Sequence, residues 1–330
     1  MNVLFMHRGF YEYDLFMKSM LENNGCNVFE FNLKVKYADF FHFDILRELC
    51  RRKSIRRKDI VYSMSVYSQD RMLKKLVDER IQIDVVFVLA GQSLRKNTLM
   101  RLKNIYPNAR FIWYIWDNIK FLREYEDNKK YFNELITFDF FEAKKEKINY
   151  LPTFYIKQLK LNKVYDFCFI GKAHSNRILL LHKILNKLKN RKFFLFLKVG
   201  FYELIYVLFR PKLWHLLKFM HYKGMSYEKN LEIMAKSRVI IDIPIKGQTG
   251  PTLRVFEAMG VHSKLITTNN YVKELDIFSP NRINFFDENN FTFDEKWIIE
   301  KYEEPDKDKE KKYSIENFAF ELVNRYFRSK

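Results

Sequence analysis

The sequence predicts an α/β protein built from two doubly wound domains, and three observations carry that prediction. The chain has 330 residues, enough for two domains of about 150 residues, each with its own core. Short apolar runs alternate with amphipathic stretches, an order that favours parallel sheets flanked by helices. The composition, 48% hydrophobic and 30% charged, is typical of a folded globular protein.

The first half of the chain opens with a β-α-β pattern. Strands are predicted at residues 3–6, 27–33, 83–90, 110–116 and 135–138. Helices are predicted at residues 13–23, 43–52, 69–79, 97–105, 119–128 and 140–147, the last capped by Asp139. The rest of 34–66 is irregular by pattern. The run at 83–90 is nearly all apolar, which is typical of a central parallel strand buried on both faces.

The second half repeats the alternation after a linker at 154–163. Strands are predicted at residues 166–171, 193–197, 239–243, 264–268 and 283–286. Helices are predicted at residues 178–190, 226–236, 252–259 and 315–327, the last capped by Ser314. We therefore predict a first domain at 1–155, a second at 164–312, and a C-terminal helix at 313–330.

Residues 239–269 carry the clearest functional pattern. A β-branched strand run leads into a loop punctuated by four turn-forming residues, Pro244, Gly247, Gly250 and Pro251. The loop feeds the start of the predicted helix at 252–259. Unpaired backbone N–H groups and the helix dipole favour a phosphate at such a position.

That helix predicts one packed face and one outward flank. Thr252, Val255, Phe256 and Met259 recur at helical spacing and should pack on a sheet. Arg254 and Glu257 then lie one turn apart on the flank that points away. They form either an exposed ion pair, worth a few tenths of a kcal/mol, or a nucleotide site. In the second interpretation Arg254 contacts a diphosphate and Glu257 accepts from a ribose hydroxyl.

Two stretches here resemble a known family. Gly-Gln-Thr-Gly-Pro-Thr-Leu-Arg-Val-Phe-Glu-Ala-Met-Gly at 247–260 and Lys-Leu-Ile-Thr-Thr-Asn at 264–269 resemble the donor-binding segment of GT-B glycosyltransferases. The likeness is greatest to bacterial polysaccharide and lipopolysaccharide enzymes with Phe-Glu-Ala before a Gly. Trp-Tyr-Ile-Trp-Asp-Asn at 113–118, Ile-Thr-Phe-Asp at 136–139 and Tyr-Leu-Pro at 150–152 extend it to the first half.

The resemblance implies a GT-B fold. Two Rossmann-like domains would face a cleft, the first on the acceptor side and the second on the nucleotide-sugar side. In that family a C-terminal helix often crosses back to the first domain. Many retaining members carry an acidic residue eight positions before the residue equivalent to Glu257. Thr249 stands there in this chain, so the resemblance does not assign a retaining or an inverting reaction.

The resemblance also implies a set of donor-binding residues. In the family the Glu equivalent to Glu257 contacts the ribose, and the loop and helix start before it hold the phosphates. The predicted donor site comprises Gly171, Lys172, Arg177, Lys246, Gln248, Thr249, Gly250, Thr252, Arg254, Glu257 and Asn269. For Lys172 and Arg177 an equal alternative is that they are loop charges facing water.

Inverting sugar transfer would require a base for the acceptor hydroxyl. Asp117 and His7 follow predicted strands, where ligands gather in open α/β sheets, and are the first and second candidates. Asp117 could equally cap the next helix. Asp306-Lys-Asp308 is the only Asp-x-Asp pair and lies in a polar stretch rather than after an apolar strand. We therefore expect no metal, and no cofactor beyond the nucleotide-sugar substrate.

The net charge of +19 suggests an anionic partner. Nucleic acid is one candidate, but no nucleic-acid-binding motif accompanies the charge, so none is expected. Basic residues are clustered from Arg51 to Lys58 and are interleaved with aromatic residues from Lys192 to Lys223. Such interleaving favours an anionic membrane surface, and the alternative is a solvated face over a buried helix.

The remaining patterns concern location and function. Three scattered cysteines, Cys26, Cys50 and Cys168, predict a reducing cytosol. No signal-peptide pattern or spanning apolar run is present. We predict a glycosyltransferase at the inner membrane face that moves a sugar to a saccharide or lipid-linked saccharide in bacterial surface polysaccharide synthesis. The alternatives are a nucleic-acid-binding α/β protein and a catalytically silent GT-B-like partner in a polysaccharide complex.

Overall fold

The structure is a computed structural model. It describes residues 1–9, 12–33, 57–91, 94–122, 124–173, 176–287, 291 and 294–328. The chain divides into two compact units, one formed by Met1–Leu151 with Ala319–Lys330 and the other by Pro152–Phe318. The predicted helix at 43–52 lies outside the described residues. None of the helices in the described part combines the length and apolar character needed to span a bilayer.

A parallel sheet forms the centre of the first unit. Its strands are β1 (Asn2–His7), β2 (Asn27–Asn32), β3 (Val85–Leu89), β4 (Arg110–Ile115), β5 (Glu134–Thr137) and β6 (Asn149–Tyr150). They follow the order β2-β1-β3-β4-β5-β6, and every residue of β3 is buried, as its apolar sequence predicted. The order reverses between β1 and β3. Ligands of such sheets bind beyond the carboxyl ends of the strands at that switch point.

The helices of the first unit depart from prediction in two places. They are α1 (Tyr13–Asn23), α2 (Arg57–Asp78), α3 (Lys96–Ile105), α4 (Tyr125–Asn128) and α5 (Phe140–Glu146). The prediction that 57–66 is irregular was wrong, because α2 already begins at Arg57. Polar and charged residues obscure the helical period there. The predicted helix at 119–128 is interrupted at Leu122, whose backbone is extended, so a short 3-10 helix precedes α4.

The last residues of the chain complete the core of the first unit. Val323–Phe327 form one π-helical stretch in which Val323, Tyr326 and Phe327 are buried. The Phe327 ring lies 5.3 Å from that of Phe87 on β3. Arg328 donates to the Asn24 carbonyl at 3.2 Å. The first unit is therefore assembled from both ends of the chain.

A second parallel sheet forms the centre of the other unit. Its strands are β7 (Tyr165–Lys172), β8 (Phe193–Lys198), β9 (Met220–His221), β10 (Ser237–Asp242), β11 (Lys264–Thr267) and β12 (Ile283–Phe285). They follow the order β12-β11-β10-β7-β8-β9, which places the switch point between β7 and β10. The predicted strands are present with ends shifted by one or two residues.

Helices connect these strands, and within the described residues three more follow β12. After Pro152 they are α6 (Arg177–Lys187), α7 (Phe201–Leu208), α8 (Tyr227–Ala235), α9 (Leu253–Gly260), α10 (Glu295–Ile299), α11 (Lys307–Lys312) and α12 (Ile315–Leu322). The Ser314 hydroxyl accepts from the Asn317 amide at 3.2 Å, which confirms the predicted cap of α12. Asp306 accepts from the amides of Asp308 and Lys309. The Asp-x-Asp pair therefore lies at the start of α11, and Asp306 serves as its cap.

Helix α9 is packed on more than the one side that its sequence predicted. It lies against α8, β10 and β11, and the Phe256 ring stacks on Tyr313 with centroids 4.9 Å apart. At its last residue, Gly260, an added Cβ would lie 3.0 Å from the Tyr155 ring and 3.1 Å from the Lys157 carbonyl. This tight packing fixes the helix start that follows the 243–252 loop.

Candidate functional site

Asp242 organises the carboxyl end of β10 beside the switch point. Its side chain is fully buried. One carboxylate oxygen accepts from the Thr252 hydroxyl at 2.9 Å and lies 3.4 Å from Arg254 Nη1. The other accepts from the Thr267 hydroxyl at 2.9 Å. Asp242 thus ties β10 to β11 and to the start of α9. Sequence reasoning missed it, although an Asp closing an apolar strand was a visible signal.

Arg254 reaches back over the end of β7. Its guanidinium donates to the Ile170 carbonyl and lies 5.6 Å from the centre of the Phe169 ring. Gly171 lies beside this contact, and a Cβ there would stand 3.2 Å from the Phe169 ring and 3.5 Å from Arg254 Nη2. The prediction that Arg254 points away from the sheet was wrong. Its side chain still keeps 17% of its surface exposed, so it can also reach a ligand.

Arg177 lies beside Arg254 at the same switch point. It is only 7% exposed, donates from Nε to the Ile243 carbonyl at 2.6 Å and from Nη1 to the Lys172 carbonyl at 3.2 Å. Burial, followed by repulsion from Arg254, lowers the pKa of Arg177 to about 10, against the opposing attraction of Asp242. The alternative that Arg177 faces water was therefore wrong, whereas Lys172 is exposed.

Asn269 holds the loop before α9 in place through side-chain hydrogen bonds. The Asn269 amide is buried and donates to the carbonyls of Thr249 and Gly250 at 3.0 and 3.2 Å. Gln248 donates to the Gly250 carbonyl at 3.0 Å. The chain turns at Gly247, whose φ of 80° lies in the left-handed region that favours glycine. These contacts give the loop a defined shape.

A cavity of about 320 Å³ opens beyond the carboxyl ends of β10, β11 and β12. Its size lies near the lower limit for small-molecule sites. The lining residues are Pro244, Ile245, Lys246, Gly247, Gln248, Thr268, Asn269, Asn270, Phe285, Phe286 and Asp287. Three predicted donor residues, Lys246, Gln248 and Asn269, therefore line one cavity. Sequence reasoning missed the contribution of Phe285 and Asp287, because no motif marks the end of β12.

Glu257 also belongs to α9, but its position differs from the predicted one. It is 4% exposed, does not line the cavity, and its charge adds to burial in raising the pKa of Tyr227 on α8. The prediction of an outward flank was wrong for Glu257. The helical-wheel argument assumed a single packed face, whereas α8 covers α9 from a second side.

In the first unit, His7 ends β1 as a buried imidazole. It is 3% exposed, with Nδ1 3.1 Å from the Asp14 carboxylate and Nε2 3.3 Å from that of Glu30. Its ring stacks on Phe5 at 4.8 Å. Carboxylates beside both ring nitrogens suit a structural role at least as well as proton transfer from a substrate.

Asp117 follows β4 and is half-buried. The cap of the next helix is Asn118, whose side chain accepts from the Lys120 amide at 3.3 Å. The alternative that Asp117 caps that helix was therefore wrong. Glu142 of α5 accepts from the Ile119 amide at 3.0 Å, which connects α5 to this loop.

Glu142 is an ionisable group that sequence reasoning missed. Burial, the largest effect, raises its pKa to about 7. The Ile119 amide opposes this rise, and the nearby charges of Asp139 and Glu146 add to it. Nothing in the sequence distinguishes Glu142 from other acidic residues in the first turn of a helix.

Two further predictions concern metals and basic clusters. Within the described ranges, no group of three or more His, Cys, Asp or Glu side chains could hold a metal ion. Most of the basic cluster from Arg51 to Lys58 lies outside the described residues, and its last two positions begin α2. Cys26 and Cys168 are buried free thiols.

Comparison with known proteins gives matches in structure only. No protein-family model and no curated protein sequence matches the chain. A UDP-GlcNAc 2-epimerase from Neisseria meningitidis, solved with UDP-GlcNAc bound, matches with a TM-score of 0.53 at 11% identity over 100% of both chains. The chain has the GT-B fold.

Other structures match the same two-sheet architecture. The N-terminal domain of a trehalose-6-phosphate phosphatase from Candida albicans matches with a TM-score of 0.56 at 10% identity, covering 98% of this chain and 92% of that one. The lipopolysaccharide outer core galactosyltransferase WaaB matches more loosely, with a TM-score of 0.48 at 11% identity, covering 87% and 86%. The GtfA/B complex also matches, and this GT-B chain spans 61% of the length of the matched chain there. At these identities the matches concern the fold alone.

Proposed function

We propose that this GT-B protein is a glycosyltransferase that uses a nucleotide-sugar donor. The observation that carries the proposal is the pairing of Arg177 and Arg254 at the switch point between β7 and β10. Neither arginine lines the cavity, but the loop that lines it leads into α9, the helix that carries Arg254. One buried carboxylate, Asp242, faces these two guanidiniums. The excess of positive charge suits a diphosphate.

The donor would be held by groups around that loop. Arg254, Arg177 and the backbone N–H groups of Gly250 and Thr252 are proposed to stabilise the diphosphate as it leaves, as fixed positive dipoles and charges do for developing anions. The exposed side chains of Lys172 and Lys246 are proposed to approach the same phosphates. Glu257 is assigned to the ribose on the strength of the sequence resemblance alone.

The acceptor is proposed to be a saccharide or a lipid-linked saccharide. The resemblance to polysaccharide and lipopolysaccharide enzymes supports a place in bacterial surface polysaccharide synthesis, such as O-antigen or capsule, at the inner face of the membrane. Asp117 is the proposed base, because it follows β4 at the carboxyl end of the first sheet, where ligands of open α/β sheets bind. His7 is the weaker candidate, because both its ring nitrogens already lie beside carboxylates.

Donor binding tests the proposal directly. Calorimetry of the purified chain with UDP-, GDP- and dTDP-sugars should reveal one preferred nucleotide. Arg254→Gln should weaken its binding by about tenfold or more, because a charge-assisted hydrogen bond to an anion contributes roughly 1.5–3 kcal/mol. Arg238→Gln is the matched control, since Arg238 lies on the same strand as Asp242 and 40% of its side chain is exposed. Failure of every nucleotide-sugar to bind, or equal weakening by Arg238→Gln, would contradict the proposal.

Turnover then distinguishes the proposed reaction from others. The chain is incubated with radiolabelled donor, with and without a bacterial lipid extract as acceptor. Label that enters the lipid fraction only with the chain present supports glycosyl transfer. Recovery of an epimerised nucleotide-sugar without acceptor would instead identify an epimerase. Donor binding without any turnover, even with a full acceptor panel, would identify a silent partner.

A further inference from the structure

The segment between β8 and α8 exposes an unusual number of large apolar side chains. We call the following set the aromatic ridge: Phe201, Tyr202, Leu208, Phe209, Trp214 and Tyr222. Each keeps between 48% and 81% of its surface exposed. Large exposed apolar patches on globular proteins mark interaction sites.

The geometry of α7 gathers most of the ridge on one side. At 100° per residue, Phe201, Tyr202, Leu208 and Phe209 fall within about 120° of the helix circumference. Val207 lies on the opposite side and is fully buried in the core of the second unit. Helix α7 is therefore apolar on both its inner and its outer face. Val207 on the inner face attaches the helix to the fold, whereas Phe201, Tyr202, Leu208 and Phe209 remain exposed.

The 3-10 helix that follows, Pro211–Phe219, carries Trp214, and Tyr222 comes directly after β9. Leu213 and Leu216 anchor the 3-10 helix in the same core. Trp214 donates from its ring nitrogen to the Leu208 carbonyl at 3.0 Å, which joins this helix to the end of α7. The indole N–H is satisfied while Trp214 as a whole stays 53% exposed. Packed helices thus present most of the ridge.

Basic side chains accompany the ridge. Residues 201–223 include four of them, Arg210, Lys212, Lys218 and Lys223, against a single acidic residue, Glu203. The Glu203 carboxylate accepts from the Gly200 amide at 2.9 Å and so caps α7. A second copy of the chain would bring the same positive charge to the ridge. An anionic surface would complement it.

We propose that the aromatic ridge docks this protein on a bilayer of anionic phospholipids. Aromatic rings with cationic neighbours match the headgroup region, where rings insert at the interface and cations meet lipid phosphates. The basic aromatic region predicted from sequence extends from Lys192 to Lys223. Its first part belongs to the second sheet, because Lys192 precedes β8 and Lys198 ends it. The docking surface is confined to 201–223. The proposal does not depend on which sugar reaction the protein performs.

Vesicle co-sedimentation of the full chain tests this proposal. The chain should pellet with vesicles containing phosphatidylglycerol and remain in solution with pure phosphatidylcholine. Phe209→Ser should reduce pelleting at least tenfold, whereas Phe320→Ser should leave it unchanged. Phe320 is the matched control because it is also exposed, at 54%, but lies on α12. Equal binding to both vesicle types, or equal loss in both variants, would overturn the proposal.

The charges are tested in the same assay. Replacing Lys212 and Lys218 together by Gln should lower partitioning by about 25-fold, since each basic residue near an anionic surface contributes roughly fivefold. Replacing Lys74 and Lys75 of α2 by Gln is the control. Binding of nucleotide-sugar by each variant, measured separately, shows that the variants are folded and keeps this test distinct from that of the proposed function. Self-association through Phe209 without vesicle binding would assign the ridge to a second copy and overturn the proposal.

Discussion

At the scale of single residues, the buried Asp242 carboxylate offsets only part of the positive charge of Arg177 and Arg254. A buried charge is tolerated when it is paired and hydrogen-bonded, and Asp242 accepts from two threonine hydroxyls besides facing Arg254. Burial lowers the pKa of Arg177, and repulsion from Arg254 lowers it further. An anionic ligand would relieve that repulsion, which is the electrostatic reason to expect a phosphate there.

Glu142 gives a residue-scale prediction about pH. Its pKa is about 7 in the folded protein, against an ordinary value near 4.5, so the folded state holds one more proton between those values. Stability should therefore fall as pH rises from about 4.5 to about 7. Glu142→Gln removes this loss and keeps an acceptor for the Ile119 amide. As pH rises from 5 to 8, the free energy of unfolding of the variant should increase by roughly 1–3 kcal/mol relative to that of the wild type.

Urea unfolding at the two pH values measures this difference. Glu126→Gln is the control, because the Glu126 side chain is 75% exposed and should show no comparable change. An identical pH dependence in wild type and Glu142→Gln would contradict the raised pKa. The expected sign is opposite to that of a salt-bridged carboxylate, whose stabilisation is lost at low pH.

At the scale of elements, α9 is the segment on which the donor site depends. Its buried surface meets two strands and α8, while its first turn receives the 243–252 loop. A helix packed on several sides cannot shift without moving that loop. The close approach at Gly260 therefore matters for the site although it lies at the far end of the helix.

Gly260→Ala should destabilise the protein by about 1–3 kcal/mol, the usual effect of overpacking. The new Cβ would lie 3.0 Å from the Tyr155 ring and 3.1 Å from the Lys157 carbonyl, a backbone atom that cannot move by a rotamer change. Urea unfolding at neutral pH measures the loss. Gly200→Ala is the comparison, since its close contact is the end of the Glu203 side chain, which can rotate away. Equal stability of both variants and wild type would show that α9 has room to adjust.

The same helix shows what sequence can and cannot predict here. Strands such as β3 and β10 were predicted because short continuous apolar runs between turn residues are typical of buried strands. The position of α9 was also predicted, from its period and its Pro and Gly boundaries. The burial of Glu257 was not, because α8 covers α9 through a contact distant in sequence. The place of Phe285 in the cavity lining was not predicted either, since the order of the strands, which the sequence does not state, brings its neighbours together.

At the scale of the whole molecule, each unit has a sheet and a core of its own. The first unit uses both chain ends, with Phe327 packed on β3. Loss of residues 319–330 would therefore remove core side chains from strands that are more than two hundred residues away in sequence. Two cores in one chain also allow the units to lose structure separately.

Phe327→Ala tests that separation. Truncating a buried Phe usually costs about 3–5 kcal/mol, and Phe327 is 5% exposed against the first sheet. Hydrogen exchange followed by mass spectrometry should accelerate in β1 and β3 and remain unchanged in β7 and β10. Phe256→Ala, which removes a ring buried in the second unit, should give the reverse pattern. If either variant accelerated exchange equally in both sheets, the two cores would unfold as a single cooperative block. The loss of packing in one core would then destabilise the other core by the same amount.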